Sequence, residues 1–265
     1  MNLCFSTLGC TDRSLEEILS LAQQYNISFL EIRGIGGEMD LGKIEAFSKK
    51  AETNALFLEY GVVPRVLGTS CAFHDPAKYE DALREGRESI EIAKKFGIPY
   101  IRVFGNKLIG SGEDERQACI ARVSEGIRTL CDAATGTSVT VLLEVHGDYN
   151  RVETLLPVVE ALADHDRFGL IWDIAHTKSY GNGWDVFYQT FRKYIRHIHI
   201  KDYSFESTAL VLPGEGDLPI LPIVRALAED GFEGCFSLEW EKKWHPELPE
   251  MELALSHFVS LMGQA

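Results

Sequence analysis

Four residues with metal-binding side chains stand late in four short apolar segments of the chain: Glu144, Asp173, His199 and Glu239. Strand side chains alternate between two faces, and in each segment this residue lies on the face opposite the main apolar set. Buried charges are costly unless they are paired or bind a metal. If the four segments are neighbouring parallel strands, three carboxylates and one imidazole meet at one level and predict one divalent cation. These ligands favour Mn²⁺, Mg²⁺ or Co²⁺, and Zn²⁺ is also compatible.

Short apolar segments alternate with longer amphipathic ones along the whole chain, which is typical of repeated β/α units. The predicted strands are 3–8, 28–33, 62–71, 100–104, 138–145, 168–174, 195–200 and 235–240. The predicted helices are 14–25, 43–59, 78–96, 113–134, 151–164, 184–194, 220–230 and 247–262. Eight such units in 265 residues favour one α/β domain, residues 1–265, closed into a (β/α)₈ TIM barrel.

An open, doubly wound sheet shares this alternation and is the alternative architecture. Its dinucleotide-binding form needs a glycine-rich turn after the first strand. The first strand here is followed by Leu8-Gly9-Cys10-Thr11, which does not match that turn. The sequence therefore favours the closed barrel.

The composition argues against several kinds of partner. The formal net charge of −14 repels phosphate backbones and predicts that the protein does not bind nucleic acid. No segment approaches the roughly 18 apolar residues of a membrane helix, and the N-terminus lacks the basic region of a signal peptide. We therefore expect no membrane partner and a cytoplasmic location. The six cysteines are scattered without a C-x₂-C pair, which predicts reduced thiols.

The pattern resembles the xylose isomerase-like TIM-barrel superfamily of sugar isomerases and epimerases, which includes AP-endonuclease-2-type barrels. The motifs that carry the resemblance are FLEIR at 29–33, LEVH at 143–146, WDIAH at 172–176, HIHIKD at 197–202, PGEGD at 213–217 and LEWE at 238–241. The resemblance implies that Glu144, Asp173, His199 and Glu239 are the ligands of one divalent metal ion. It also implies that Glu144 and Glu239 are the acid and base that isomerise or epimerise a small sugar or cyclitol through a metal-stabilised cis-enediolate.

Five further residues are predicted to bind the substrate: His176, His74, Lys201, Glu31 and His146. The resemblance implies this role for His176, and a cap on the next helix is the alternative. His74 ends the third strand, where it either contacts substrate hydroxyls or belongs to a turn at 75–76. Lys201 either neutralises the enediolate or pairs with Asp202. Glu31 and His146 lie on the inward faces of the second and fifth strands.

Other functions are compatible with parts of this pattern. A keto-cyclitol (inosose) dehydratase of the same fold would use the same metal site and expel a β-hydroxyl. A DNA-repair endonuclease of this fold carries three zinc ions and extra histidines, and the fourth strand here ends without one at 103–106. A non-catalytic sugar-binding barrel is disfavoured because all four ligand positions are intact.

Acidic residues at 215 and 217 oppose a phosphate, so an unphosphorylated substrate is favoured. Dimers or tetramers are common in the resembling family, which leaves a homo-oligomer open.

Overall fold

The computed structural model describes residues 1–177 and 183–265, and its elements alternate between strand and helix as the sequence predicts. The strands are β1 (Asn2–Ser6), β2 (Phe29–Ile32), β3 (Val63–Ala72), β4 (Tyr100–Phe104), β5 (Thr140–Glu144), β6 (Phe168–Asp173), β7 (Ile195–Ile200), β8 (Asp202–Ser204), β9 (Ala209–Val211) and β10 (Cys235–Leu238). The α-helices are α1 (Leu15–Gln24), α2 (Glu45–Ser48), α3 (Lys50–Tyr60), α4 (Tyr79–Phe96), α5 (Glu113–Ala134), α6 (Val152–Leu162), α7 (Gly183–Phe191), α8 (Ile220–Glu229) and α9 (Met251–Met262). Eight strands form a closed barrel in the order β1-β10-β7-β6-β5-β4-β3-β2, which confirms the predicted (β/α)₈ fold.

The chain divides into two compact units, one of residues 1–65 with 197–265 and the other of residues 66–196. In the first unit β1 pairs in parallel with β2 and β10, and β10 pairs in parallel with β7. In the second unit β3, β4, β5 and β6 pair in parallel in chain order. Because these strands run in the same direction, each unit gathers side chains from the carboxyl ends of its own strands. Active sites of this fold are built at those ends.

A capping box fixes the start of α1, which lies within the helix predicted at 14–25. The Ser14 hydroxyl accepts from the backbone N–H of Glu17 at 3.3 Å, and the Glu17 carboxylate accepts from the backbone N–H of Ser14 at 2.8 Å. These two bonds satisfy N–H groups that have no partner inside the helix. The helix then buries Ile18, Leu19 and Ala22 completely on one face.

The predicted helix at 43–59 is interrupted. A 3₁₀ turn at Leu41–Lys43 comes first, and Lys49 then separates α2 from α3 with φ −103° and ψ 63°. The hydroxyl of Thr53 donates to the carbonyl of Ala46 at 2.6 Å, where a continuous helix would supply the N–H of residue 50. This side-chain bond stabilises the break, and the apolar periodicity does not reveal it. Within 1–177 and 183–265 no helix is both long and apolar enough to cross a membrane.

Strands β8 and β9 form a small antiparallel hairpin that the sequence does not predict. Asp202 holds the loop that follows it, because one carboxylate oxygen accepts from the N–H groups of Gly214 at 2.9 Å and Gly216 at 3.0 Å. Its other oxygen accepts from the N–H of Tyr203 at 2.8 Å. Asp202 therefore organises the loop after β7.

Candidate metal centre

Glu144 and Asp173 are the last residues of β5 and β6, and both carboxylates are buried. On the neighbouring strand β4, the Nη1 atom of Arg102 lies 3.1 Å from the Oε2 atom of Glu144. Arg102 also donates from Nη2 to the carbonyl of Thr69 at 3.3 Å, and its guanidinium lies 4.6 Å from the ring centroid of Phe104. These contacts hold a buried cation beside Glu144. The sequence does not predict this partner of Glu144.

Backbone hydrogen bonds orient Asp173 at the end of β6. Its Oδ1 atom accepts from the N–H of Ala175 at 2.8 Å and from the N–H of His176 at 3.1 Å. Its Oδ2 atom lies 3.8 Å from Nε2 of His176. The turn after β6 therefore fixes the carboxylate and brings the imidazole of His176 close to it.

His146 and His176 form an edge-to-face pair, with ring centroids 4.2 Å apart. His146 also packs against Phe104 at 5.1 Å, and the carbonyl of His176 accepts from the amide of Asn150 at 2.8 Å. The side chain of His176 is 30% exposed, whereas Asp173 is completely buried. His176 is thus partly open to solvent while its carboxylate neighbour is enclosed, an arrangement compatible with substrate contact.

His199 on β7 and Glu239 just after β10 approach each other within the first unit. The Nδ1 atom of His199 lies 3.4 Å from the Oε2 atom of Glu239. The ammonium of Lys201 lies 2.6 Å from the same oxygen and also pairs with Glu241. Lys201 is 1% exposed, so its charge lies inside the protein between two carboxylates. A pairing of Lys201 with Asp202 is one of the two alternatives from the sequence, and in the structure Lys201 pairs with Glu239 and Glu241.

Glu31 on β2 is completely buried against two imidazoles. Its Oε2 atom lies 3.0 Å from Nε2 of His197, 3.0 Å from Nε2 of His199 and 3.3 Å from Oγ of Ser237. Burial raises the pKa of Glu31, but the attraction of His199 and the imidazole hydrogen bonds outweigh it and hold this pKa well below its usual range. Glu31 thus faces two imidazoles and a hydroxyl, and its predicted role in substrate binding stays a prediction.

Burial lowers the pKa of His197, but hydrogen bonds with Cys235 and Glu31 outweigh that effect and raise it. His197 is also fully buried. The sequence predicts no individual role for His197. In the structure it is a second imidazole partner of Glu31.

Within the described ranges, three groups of side chains have potential ligand atoms within 4.8 Å of one another. The largest group consists of Glu144, Asp173, His199 and Glu239. The two smaller groups are Glu31 with His197 and His199, and Glu144 with His146 and His176. Three carboxylates and one imidazole match the oxygen-rich ligands of Mn²⁺, Mg²⁺ and Co²⁺, and Zn²⁺ accepts the same atoms. The four residues that strand parity selected stay the predicted ligands of this ion.

The geometry of His199 supports a cation in the four-residue group. A neutral imidazole that donates from Nε2 to Glu31 carries its lone pair on Nδ1. That atom then faces the carboxylate of Glu239 at 3.4 Å, and two acceptors at this distance repel each other. A proton, or a metal ion held by these residues, would remove the repulsion. The donor atoms therefore fit a divalent metal ion.

His74 belongs to none of these three groups. It precedes a 3₁₀ turn at Pro76–Lys78 that Asp75 caps by accepting from the N–H of Ala77 at 2.9 Å. The carbonyl of His74 accepts from Nη1 of Arg122 at 3.2 Å. Partial burial lowers the pKa of its imidazole. The turn that the sequence analysis weighed for this segment is present.

Comparison with known proteins identifies similar barrels. A family model described as a xylose isomerase-like TIM barrel matches residues 13–260. The probable 3-DHS dehydratase AsbF of Bacillus anthracis, involved in petrobactin synthesis, is 19% identical with a TM-score of 0.78 over 99% of each chain. The IolI protein with a bound zinc atom is 21% identical with a TM-score of 0.77, covering 98% of this chain and 97% of that one. D-psicose 3-epimerase of Clostridium cellulolyticum H10, solved with D-tagatose, is 14% identical with a TM-score of 0.76, covering 99% and 97%. No curated protein matches the chain in sequence.

Proposed function

Because the chain belongs to the xylose isomerase-like TIM-barrel family, we propose that it is a divalent-metal-dependent isomerase or epimerase of a small sugar or cyclitol. The observation that carries the proposal is the group of Glu144, Asp173, His199 and Glu239, whose potential ligand atoms lie within 4.8 Å of one another. We assign one ion to these four side chains. Mn²⁺, Mg²⁺, Co²⁺ and Zn²⁺ all suit the donor atoms.

The charges around the four proposed ligands support the assignment of a divalent metal ion to them. In one half Glu144 and Asp173 carry two negative charges, and Arg102 on Glu144 supplies one positive charge. In the other half Lys201 lies between the carboxylates of Glu239 and Glu241. Buried carboxylates are costly unless cations neutralise them. A divalent ion would act together with Arg102 and Lys201 to neutralise this group.

Glu144 and Glu239 are the acid–base pair of the proposed reaction. When bound, the metal ion would polarise the substrate carbonyl and stabilise negative charge that develops on its oxygen atoms. One glutamate removes the proton on the carbon next to the carbonyl, and the other returns a proton to the opposite face of the resulting enediolate. Arg102 and Lys201 each place a cation beside one of these carboxylates, at 3.1 Å and 2.6 Å. The two cations stabilise the ionised carboxylates, the form that a base requires.

The remaining polar residues hold the substrate in this proposal. His176 and His146 are assigned to substrate hydroxyls because their rings adjoin each other and His176 is partly open to solvent. Lys201 is assigned to charge stabilisation near Glu239. An unphosphorylated substrate suits the acidic loop at 213–217. The substrate is thus a polyol with a carbonyl group.

The test is solvent exchange at the reacting carbon. The Mn²⁺-reconstituted protein is incubated in D₂O with a panel of unphosphorylated ketoses and keto-cyclitols, and products are followed by NMR and mass spectrometry. The proposal predicts a rearranged product with deuterium on the carbon next to the carbonyl and no loss of water. A product that lacks water would instead identify a keto-cyclitol dehydratase. A rearranged product without deuterium would indicate a hydride shift and would remove both glutamates from proton transfer.

A further inference from the structure

Glu31 reaches the candidate metal centre through one of its ligands. It lies on β2, and its Oε2 atom lies 3.0 Å from Nε2 of His199 on β7. The other nitrogen of the same ring, Nδ1, lies 3.4 Å from Glu239. The imidazole of His199 therefore bridges two carboxylates, one on each side of the ring. Both Glu31 and His199 are completely buried, so water does not compete for these contacts.

The contact between Glu31 and His199 determines which nitrogen of His199 is available to a metal ion. A neutral imidazole has one N–H and one lone pair, and the hydrogen bond of one nitrogen sets the state of the other. A buried carboxylate only accepts hydrogen bonds, so Nε2 must carry the proton in this contact. The lone pair is then on Nδ1, on the side of Glu239. Without Glu31, the imidazole of His199 can adopt either tautomer.

Two other groups hold the carboxylate of Glu31 in place. Nε2 of His197 lies 3.0 Å from the same oxygen, and the hydroxyl of Ser237 lies 3.3 Å from it. His197 and Ser237 stand on β7 and β10, whereas Glu31 stands on β2. The position of Oε2 is thus set from several strands, and rotation of Glu31 away from His199 would break three contacts.

We propose that Glu31 is a positioning residue that fixes His199 in the Nε2-protonated tautomer and so presents Nδ1 to the divalent metal. The inference rests on the proposed metal site and goes beyond it by naming the ligand atom and the residue that selects it. Metal-bound histidines generally donate their second N–H to an acceptor of this kind, and loss of that acceptor typically weakens metal binding about 10–100-fold. We expect a loss of this size when Glu31 is replaced.

The affinity test uses Co²⁺ as the probe and compares three full-length proteins: wild type, Glu31→Gln and Ser237→Ala. Dissociation constants are measured by competition with a chelator, and the visible absorption of bound Co²⁺ reports its coordination. Glu31→Gln should weaken binding about 10–100-fold and alter the spectrum, because the carboxylate that selects the tautomer is gone. Ser237→Ala removes one of the contacts that hold this carboxylate but leaves Glu31 beside His199, so it should weaken binding less than Glu31→Gln does. Equal affinity and identical spectra for wild type and Glu31→Gln would overturn the inference.

A second measurement needs no variant and identifies the metal-binding nitrogen of His199 even if Glu31→Gln does not fold. Long-range ¹⁵N–¹H spectra of the Zn²⁺-loaded wild-type protein distinguish the nitrogens of His199. The inference predicts a protonated Nε2 and a metal-bound Nδ1, and metal bound to Nε2 would refute it. Failure of the wild-type protein to bind Co²⁺ or Zn²⁺ at all would refute the proposed metal site. Tight binding that is indifferent to Glu31 would leave that site standing and refute only the role of Glu31.

Discussion

The ammonium nitrogen of Lys201 lies 2.6 Å from Oε2 of Glu239, and this oxygen also lies 3.4 Å from Nδ1 of His199. The ammonium group of Lys201 therefore occupies one side of the Glu239 carboxylate, which we propose as a metal ligand. Lys201 also pairs with Glu241 and is almost completely buried. We infer that Lys201 stabilises the metal-free centre and competes with the ion for the charge of Glu239.

Lys201→Met should destabilise the metal-free protein by about 3–5 kcal/mol, because it leaves buried carboxylates without their cation. Added Mn²⁺ should then raise the melting temperature more than it does for wild type, since the ion replaces the missing charge. Calorimetry with and without Mn²⁺ measures both effects. Lys243→Met, at an exposed position two residues after Glu241, is the control and should behave as wild type. A smaller Mn²⁺-induced shift in Lys201→Met than in wild type would contradict the competition.

Arg102→Met should also be strongly destabilising, by about 3–5 kcal/mol, because the buried carboxylate of Glu144 loses its partner at 3.1 Å. The double variant Arg102→Met with Glu144→Gln should be more stable than Arg102→Met alone, since it removes the uncompensated charge. Chemical unfolding of the metal-free proteins gives the free energies. Arg87→Met, at an exposed position on α4, should change stability by less than about 0.5 kcal/mol. A double variant no more stable than Arg102→Met would show that the ion pair is not the cause.

His176→Ala should retain the metal and lose about 10–100-fold in kcat/KM, the effect expected for losing hydrogen bonds to a charged or polarised substrate. We expect this result because the His176 side chain is partly exposed and its Nε2 atom lies 3.8 Å from Asp173. Metal analysis and steady-state kinetics on the same sample separate the two effects. His165→Ala, whose ring contacts Asp132 instead, is the control. Loss of the metal ion from His176→Ala would make His176 a ligand and refute its assignment to substrate.

The ion pair of Arg13 with Glu252 predicts a pH-dependent contribution to stability. Burial raises the pKa of Glu252, but the hydrogen bond from Arg13 at 2.7 Å outweighs it and lowers this pKa. A lowered folded-state pKa means that the stabilisation is present above the ordinary carboxyl range and is lost as the pH falls through the folded value. Glu252→Gln should therefore cost up to about 1 kcal/mol at pH 7, a small effect because the pair is partly exposed.

The difference between wild type and Glu252→Gln should shrink toward zero at the most acidic pH at which both proteins unfold cooperatively. Urea unfolding at several pH values measures it. Arg13→Met should show the same trend, because protonation of Glu252 removes the pair in wild type as well. A difference that stays constant with pH would rule out the ion pair as its source.

Local pattern predicted the barrel and the four candidate ligands. Strand parity placed Glu144 and Asp173 opposite the main apolar residues, and the structure finds them at the ends of β5 and β6. The same rule applied to β4 separates Arg102 from Ile101 and Val103, so strand parity also predicts that Arg102 points inward. Parity does not predict that Arg102 pairs with Glu144, because it indicates the face of a strand and not the atom that a long side chain reaches.

The role of Glu31 depends on contacts that a local pattern does not contain. Glu31 and His199 are 168 positions apart in the sequence, and their meeting depends on the register of β2, β1, β10 and β7. The break between α2 and α3 has a different cause. There the hydroxyl of Thr53 binds a helix carbonyl, and apolar periodicity carries no information about that bond.

Metal content is the most direct test of the four-residue site. Purified protein is reconstituted with Mn²⁺, passed through a desalting column and analysed for metal per chain by mass spectrometry. The account predicts one ion for wild type, about one for Glu241→Gln, whose carboxylate pairs with Lys201 outside the ligand group, and a large loss for Asp173→Asn and Glu239→Gln. Far-UV circular dichroism verifies that each variant is folded. Full metal content in both Asp173→Asn and Glu239→Gln, or no retained metal in wild type, would contradict the site.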